Sequence, residues 1–92
     1  MGTEKKKFIR HIRDGQHIED SFLVKELSRA ETRSGKPYLI LTLMDRTGEL
    51  PGRVWENADA LLPECDPGRL VFVTGQAQTF RETLQLKINN LK

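Results

Sequence analysis

The sequence predicts an all-β fold, a closed five-stranded Greek-key barrel with one short helix between the third and fourth strands. Apolar and polar residues alternate through several segments, which is the pattern of strands with one buried face. Residues 56–65 have helical character and separate the third predicted strand from the fourth. Gly52 and Gly75 interrupt predicted strands, which indicates positions where a closing sheet coils.

The composition indicates one domain, residues 1–92, with a single small core. Of the 92 residues, 37% are hydrophobic and 30% are charged, which is typical of a folded domain rather than a disordered segment. The single cysteine, Cys65, excludes an internal disulfide. No apolar run approaches the roughly 18 residues of a membrane span, and the basic residues 5–7 lead into further charges rather than an apolar signal segment. We therefore expect a cytoplasmic protein with no membrane partner.

Charge is distributed unevenly along the chain. Residues 56–68 contain four acidic and no basic residues, so their local charge is −4, and the other 79 residues sum to +6 because the net charge is +2. This distribution favours one acidic side and a basic remainder, suited to a polyanion that docks on one face. An unevenly charged, solvated surface without a partner is the alternative.

The first third of the chain is predicted to form a lead-in segment and one long strand. The lead-in is residues 1–15, of which residues 1–7 are polar and expected to be mobile. Its apolar residues, expected to form a flap over one end of the core, are Phe8, Ile9 and Ile12. Residues 17–33 contain neither Gly nor Pro and predict a strand that bends, because it serves both halves of a closed sheet. A helix over residues 26–33 is the competing interpretation.

Residues 34–55 are predicted to form a β-hairpin whose register follows from the apolar phase alone. The predicted inward pairs are Leu43/Leu50, Leu41/Gly52 and Leu39/Val54, and the outward pairs are Met44/Glu49, Thr42/Pro51, Ile40/Arg53 and Tyr38/Trp55. This register requires a four-residue loop, residues 45–48, built on a type I turn. In that loop Asp45 can accept backbone hydrogen bonds and Gly48 is free to adopt positive φ.

The second half of the chain is predicted to complete the barrel. The predicted elements are a short helix over residues 56–65, a fourth strand over residues 70–80 and a fifth strand over residues 84–90. The inward residues of the fifth strand are Leu84, Leu86 and Ile88. Pro51 lacks an N–H for the ladder, so we expect it at an exposed edge or a bulge. Asn57 or Asp59 can cap the helix, and Gly75 indicates a sharp bend or bulge in the fourth strand.

This order of elements is that of an OB-fold, a partly open Greek-key barrel of five strands. A fully open antiparallel sheet fits less well, because Gly52 and Gly75 lie where strands must coil. An SH3-like barrel is the main rival fold, but a helix after its third strand would be unusual.

Residues 36–55, with the pattern K-P-Y-L-x-L-x-L-x-D-x-T-G-E-L-x-x-x-V-W, resemble OB-fold nucleic-acid-binding domains of the anticodon-binding and helicase type. Nearly the whole chain, including the opening residues 6–26, is most similar to the N-terminal OB domain of YhaM-type exoribonucleases. In that family an HD-type phosphohydrolase domain follows and cleaves RNA or single-stranded DNA from the 3′ end. The resemblance implies an accessory domain, either excised from a larger nuclease or a stand-alone module, although Pro51 departs from the usual polar strand residue.

The aromatic residues of the hairpin are the main candidates for contact with unpaired bases. Tyr38 and Trp55 are predicted to stack on bases, next to Ile40 on the same outer face, and Phe80 is a third platform. Trp55 packed as core against the helix and a structural role for Phe80 are the alternatives. The basic residues expected to surround this face and contact phosphates are Arg33, Lys36, Arg53, Arg81 and Lys87.

Catalytic chemistry finds little support in the residues. His11 and His17 have no partners at metal-ligand spacing, and Cys65 is expected to be an inert, half-buried thiol. We predict no catalytic residue, no metal and no cofactor, and a chain that is not itself an enzyme. The predicted function is binding of single-stranded RNA or DNA with little sequence preference. The alternative is a protein-interaction or oligomerisation module that uses the same hairpin face, and the sequence leaves RNA against DNA and the oligomeric state open.

Overall fold

A computed structural model describes residues 7–92, and its five strands close into a barrel. The elements are β1 (His17–Glu31), β2 (Pro37–Asp45), β3 (Gly48–Val54), α1 (Ala58–Leu61), β4 (Leu70–Phe80) and β5 (Thr83–Leu91). Around the barrel the strands follow the order β1-β2-β3-β5-β4. The β3–β5 pair is parallel and the other pairs are antiparallel. The predicted fold class is confirmed, whereas the expectation that the chain is mobile at its start falls mostly on residues 1–6, outside the described part.

The long first strand serves both halves of the barrel, as predicted. Its first half pairs with β4 and its second half pairs with β2, and the register shifts between Val24 and Glu26. Such a bulge bends a strand and increases its twist, which lets one strand pair with two partners that diverge. The alternative helix over residues 26–33 is wrong, because the ladder with β2 continues to Glu31.

The register of the β2–β3 hairpin is the predicted one from Leu39/Val54 to Met44/Glu49. The inward members of these pairs are all buried. Gly48 does not have positive φ, so that detail is wrong. Asp45 does accept backbone hydrogen bonds, from the N–H of Thr47 at 2.7 Å. Pro51 immediately precedes the β3–β5 ladder, which begins at Gly52, so its missing N–H lies at an edge as expected.

The β4–β5 hairpin bends where Gly75 predicted it. The register between the two strands shifts between Thr74 and Gly75. A Cβ atom at position 75 would lie 2.3 Å from the carbonyl oxygen of Lys87. Glycine is therefore needed because the two backbones approach closely at the bulge.

The N-terminal residues close one end of the barrel, and we call residues 8–16 the N-terminal strap. Ile9 and Ile12 are buried, which confirms the predicted flap. The strap is fixed at the β2–β3 turn, where the N–H of Ile9 donates to the Asp45 carboxylate at 2.8 Å. Its other end is fixed to β4, where Gly15 donates to the carbonyl oxygen of Ala77 and the Asp14 carboxylate accepts the N–H of Thr79 at 2.6 Å. The strap thus ties the β2–β3 turn to the end of β4.

The helical segment is shorter than predicted, and its charges are mostly paired. The α-helix has four residues and continues into a 3-10 turn, Leu62–Glu64; Asn57 precedes it with φ of 58° and no side-chain cap. Ion pairs join the segment to basic residues elsewhere: Asp59 to Arg29 at 2.8 Å, Glu56 to Lys36 at 2.5 Å and Glu64 to Arg69 at 3.4 Å. The predicted acidic side is therefore largely neutralised. Within residues 7–92, none of the helices is long and apolar enough to cross a bilayer.

Candidate nucleic-acid interface

The outer face of the β2–β3 hairpin carries the central row of the predicted site. Ile40 on β2 is paired with Arg53 on β3. Arg53 is paired in turn with Lys87 on β5. Side chains of residues paired across neighbouring strands project on the same side of the sheet. The barrel therefore aligns one apolar residue and two cations across three strands.

The two hairpin aromatics stack on each other. The ring centroids of Tyr38 and Trp55 are 4.6 Å apart, with an interplanar angle of 26°. Trp55 follows the last residue of β3 and is 38% exposed, so the alternative in which it packs as core is wrong. Because Tyr38 covers one face of the indole, only the remainder of the Trp55 ring is open to a further stacking partner.

The tip of the β4–β5 hairpin presents the third predicted aromatic. Phe80 is 58% exposed and contributes little to the core. The guanidinium carbon of Arg81 lies 5.3 Å from the centre of the Phe80 ring, within the range of a cation–π contact. Arg81 and Glu82 form the turn with φ of 51° and 67°, a region that residues other than glycine rarely adopt.

These two regions border a single cleft of about 270 Å³. Its lining residues are Arg53, Trp55, Gln78, Phe80 and Gln85. Sequence reasoning identified three of them but missed Gln78 and Gln85. The signal that could have found both glutamines is their outward phase on β4 and β5, where they form a cross-strand pair. The cleft therefore combines two aromatic rings, one guanidinium group and two amides.

The predicted phosphate-binding cations are not equally available. Arg53 donates one hydrogen bond to the carbonyl oxygen of Gly52 at 3.0 Å, and Lys87 is exposed beside it. The ammonium group of Lys36 is held by the Glu56 carboxylate, and Arg33 is exposed in the turn between β1 and β2. Phosphate contact by Lys36 would therefore have to compete with an existing ion pair.

Groups with other chemical potential lie away from this cleft or are inert. Cys65 is fully buried rather than half-buried, and burial raises the pKa of its thiol to about 11. It is therefore protonated at neutral pH and a poor nucleophile. His17 contacts the Glu19 carboxylate at 2.7 Å on an exposed surface. In the described part of the chain, no three His, Cys, Asp or Glu side chains are grouped to hold a metal ion.

A comparison with protein families identifies the fold and its class of ligand. Residues 23–92 match the model of the OB-fold nucleic acid binding domain in the tRNA anticodon-binding group. The chain belongs to this family. The match covers all of the barrel except the first residues of β1.

The curated relatives are exoribonucleases. The chain is 34% identical to the 3′-5′ exoribonuclease YhaM of Oceanobacillus iheyensis, over 85% of this chain and 25% of that protein. It is 33% identical to the YhaM protein of Halalkalibacterium halodurans, over 85% of this chain and 24% of that protein. The chain thus spans about a quarter of the length of the curated relatives that it matches.

Solved structures share the barrel at low sequence identity. The second OB-fold domain of replication protein A from Methanococcus maripaludis superposes with a TM-score of 0.70 and 18% identity, over 94% of this chain and 91% of that chain. A replication protein A heterotrimer bound to single-stranded DNA gives a TM-score of 0.67 and 20% identity, over 85% of this chain and 56% of that chain. At these identities the similarity establishes the OB-fold.

Proposed function

We propose that this domain binds single-stranded RNA or DNA across the outer faces of β2, β3, β5 and β4. We further propose that in a longer protein it acts as a non-catalytic module that presents the strand to an HD-type 3′-5′ exoribonuclease domain. The observation that carries the proposal is the cleft between the two hairpins, where the Trp55 and Phe80 rings meet the Arg53 guanidinium group. OB-folds bind oligonucleotides on this side of the barrel, and aromatic rings stack on bases of any sequence.

The arrangement favours a single strand over a duplex. Stacking on an aromatic side chain requires an unpaired base, whereas a duplex offers mainly phosphates. The Arg53–Lys87 pair places two cations beside the cleft, at a distance from the rings that suits the backbone of a strand whose bases are stacked. None of the lining residues of the cleft is acidic. A phosphodiester backbone would therefore meet no charge repulsion from the lining.

The names of the relatives support RNA as the substrate of the longer protein. They are 3′-5′ exoribonucleases, and this chain corresponds to about a quarter of each. A binding module beside a nuclease centre raises the local concentration of substrate strand by tethering it. In such a protein, Trp55→Ala should raise KM for single-stranded RNA and leave kcat nearly unchanged.

A fluorescence titration of this domain tests the binding proposal directly. Labelled single-stranded RNA and DNA of the same sequence are titrated at several salt concentrations, with unlabelled duplex as competitor. We expect micromolar binding of the single strands, weak competition by duplex and an affinity that falls with salt. Equal or tighter binding of duplex would indicate a purely electrostatic surface and would overturn the proposal.

A pair of matched variants separates stacking from general apolar adhesion. Trp55 is 38% exposed in the cleft, whereas Phe72 is 36% exposed on β4 and does not line it. Trp55→Ala should weaken binding by roughly 1–3 kcal/mol, and Phe72→Ala should not change it. An affinity that is unchanged in folded Trp55→Ala protein would favour a protein-interaction role for the hairpin face.

A further inference from the structure

Two glutamine side chains in the cleft have no role in holding the fold together. Gln78 and Gln85 face each other across the β4–β5 ladder, and both line the cleft. Within residues 7–92, neither amide group makes a hydrogen bond, although Gln85 is half-buried. Two adjacent amides thus offer a pair of donors and a pair of acceptors to whatever enters the cleft.

The aromatic walls of the cleft suit one flat, unpaired ring. Trp55 is backed by Tyr38 at 4.6 Å, which fixes the plane of the indole, and Phe80 is the other exposed ring. The volume of about 270 Å³ is below the range of about 300–1,000 Å³ that accommodates drug-sized ligands. This size fits a single nucleobase better than two stacked nucleotides. A base held on these rings would have its edge close to the two amides.

We propose that the cleft is a base-reading subsite that takes one unpaired adenine of the bound strand. The adenine would stack on Trp55 and Phe80, and the amides of Gln78 and Gln85 would hydrogen-bond its edge. This proposal rests on the single-strand binding proposed above, and it adds sequence preference at one position to contacts that otherwise tolerate any sequence.

Hydrogen-bonding complementarity selects adenine among the bases. Adenine presents an amino donor beside a ring-nitrogen acceptor, the arrangement that a glutamine amide matches with both of its polar groups. Guanine presents two adjacent acceptors on the corresponding edge, which would leave amide oxygens unmatched. The side chain that suits guanine is arginine, but Arg53 commits one guanidinium nitrogen to the carbonyl oxygen of Gly52 at 3.0 Å. Cytosine and uracil cover less of the two rings than a purine does.

The test uses single-stranded oligonucleotides of uridine that carry one adenosine, guanosine or cytidine at the centre. Dissociation constants are measured by fluorescence anisotropy at fixed salt. We expect the adenosine oligonucleotide to bind about five- to tenfold more tightly than all-uridine, which is the low end for one bidentate base contact. Tight binding of all four with equal affinity would overturn this proposal and leave single-strand binding intact. Failure to bind any of them would overturn single-strand binding as well.

Glutamine variants assign the preference to the cleft. Gln78→Met and Gln85→Met keep the length of each side chain and remove its hydrogen bonds, so each should abolish most of the adenosine preference and leave all-uridine binding unchanged. Gln76→Met is the matched control, because Gln76 has the same outward phase on β4 but does not line the cleft. A preference that persists in both cleft variants would overturn the proposal. Gln78 is exposed, so its variant keeps the test valid if Gln85→Met lowers stability.

Discussion

The two halves of the candidate interface differ in how far their side chains are already engaged. In the hairpin half, formed by Tyr38, Ile40, Arg53 and Trp55, the two rings stack on each other at 4.6 Å, and neighbouring Lys36 is held by Glu56. In the tip half, formed by Gln78, Phe80, Arg81 and Gln85, Phe80 is the more exposed ring, and the amides make no hydrogen bonds in the described chain.

This difference indicates a division of labour. Groups that already satisfy one another gain little from a ligand, because each new contact replaces an existing one. Open groups gain the whole contact, at the cost of ordering their side chains. We therefore expect the hairpin half to supply a rigid support and the tip half to supply most of the binding energy.

The largest expected effect concerns the backbone that positions the two halves. A Cβ at Gly75 would meet the Lys87 carbonyl oxygen at 2.3 Å, whereas a Cβ at Gly52 would meet the end of the Ile88 side chain at 2.8 Å. Backbone cannot yield as a side-chain tip can, so Gly75→Ala should lower the free energy of unfolding by about 3 kcal/mol or more, and Gly52→Ala by less than about 1.5 kcal/mol. Urea unfolding measures both, and equal losses would contradict the close approach at the bulge.

The next effect compares the aromatic residues of the two halves. Phe80→Ala removes an open stacking surface and should weaken single-strand binding by roughly 1–3 kcal/mol. Tyr38→Ala removes only the support behind Trp55, so it should cost less than about 1 kcal/mol. Both changes leave charge unaltered, so the dependence of affinity on salt should stay the same. A larger loss in Tyr38→Ala, in protein that melts normally, would show that the hairpin half binds the strand directly.

A smaller effect tests how the tip half is anchored. The Asp14 carboxylate accepts the N–H of Thr79 at 2.6 Å, next to Phe80. Asp14→Ala should lower the free energy of unfolding by about 0.5–1.5 kcal/mol and speed hydrogen exchange at the Thr79 amide. Asp66→Ala is the control, since it also removes an exposed carboxylate. Unchanged exchange at Thr79 would mean that the ladder with β5 fixes the tip without the strap.

The smallest effect tests the paired cation of the hairpin half. Glu56→Gln releases Lys36 from its ion pair, so single-strand affinity should rise slightly and the slope against salt should steepen by about 0.7. The effect on stability should be within about 1 kcal/mol, because exposed ion pairs contribute little. Glu49→Gln, which releases Lys25 from a pair of the same 2.5 Å length, is the matched control. The same slope change in both variants would show that Lys36 contributes only long-range charge.

The sequence by itself determined the strands, their faces and the register of the β2–β3 hairpin. Alternation of apolar residues is a local property, and a slip by one residue would expose Leu39 and Leu41 together, so few registers compete. Gly75 likewise marked its own bulge, because only glycine lets two backbones approach so closely. The competing helix over residues 26–33 shows where local propensity stopped being decisive, since pairing with β2 overrode it.

Only the tertiary structure decided which outward side chains meet. Closure of the barrel pairs β3 with β5, residues far apart in the chain, and this brings Trp55 into one cleft with Gln78 and Gln85. The pairing of Lys36 with Glu56 likewise crosses 20 positions. Alternation states that a residue points outward and carries no information about its neighbour on another strand. The physical reason is that solvent-facing side chains are not constrained by core packing, so their partners follow from how the strands are brought together.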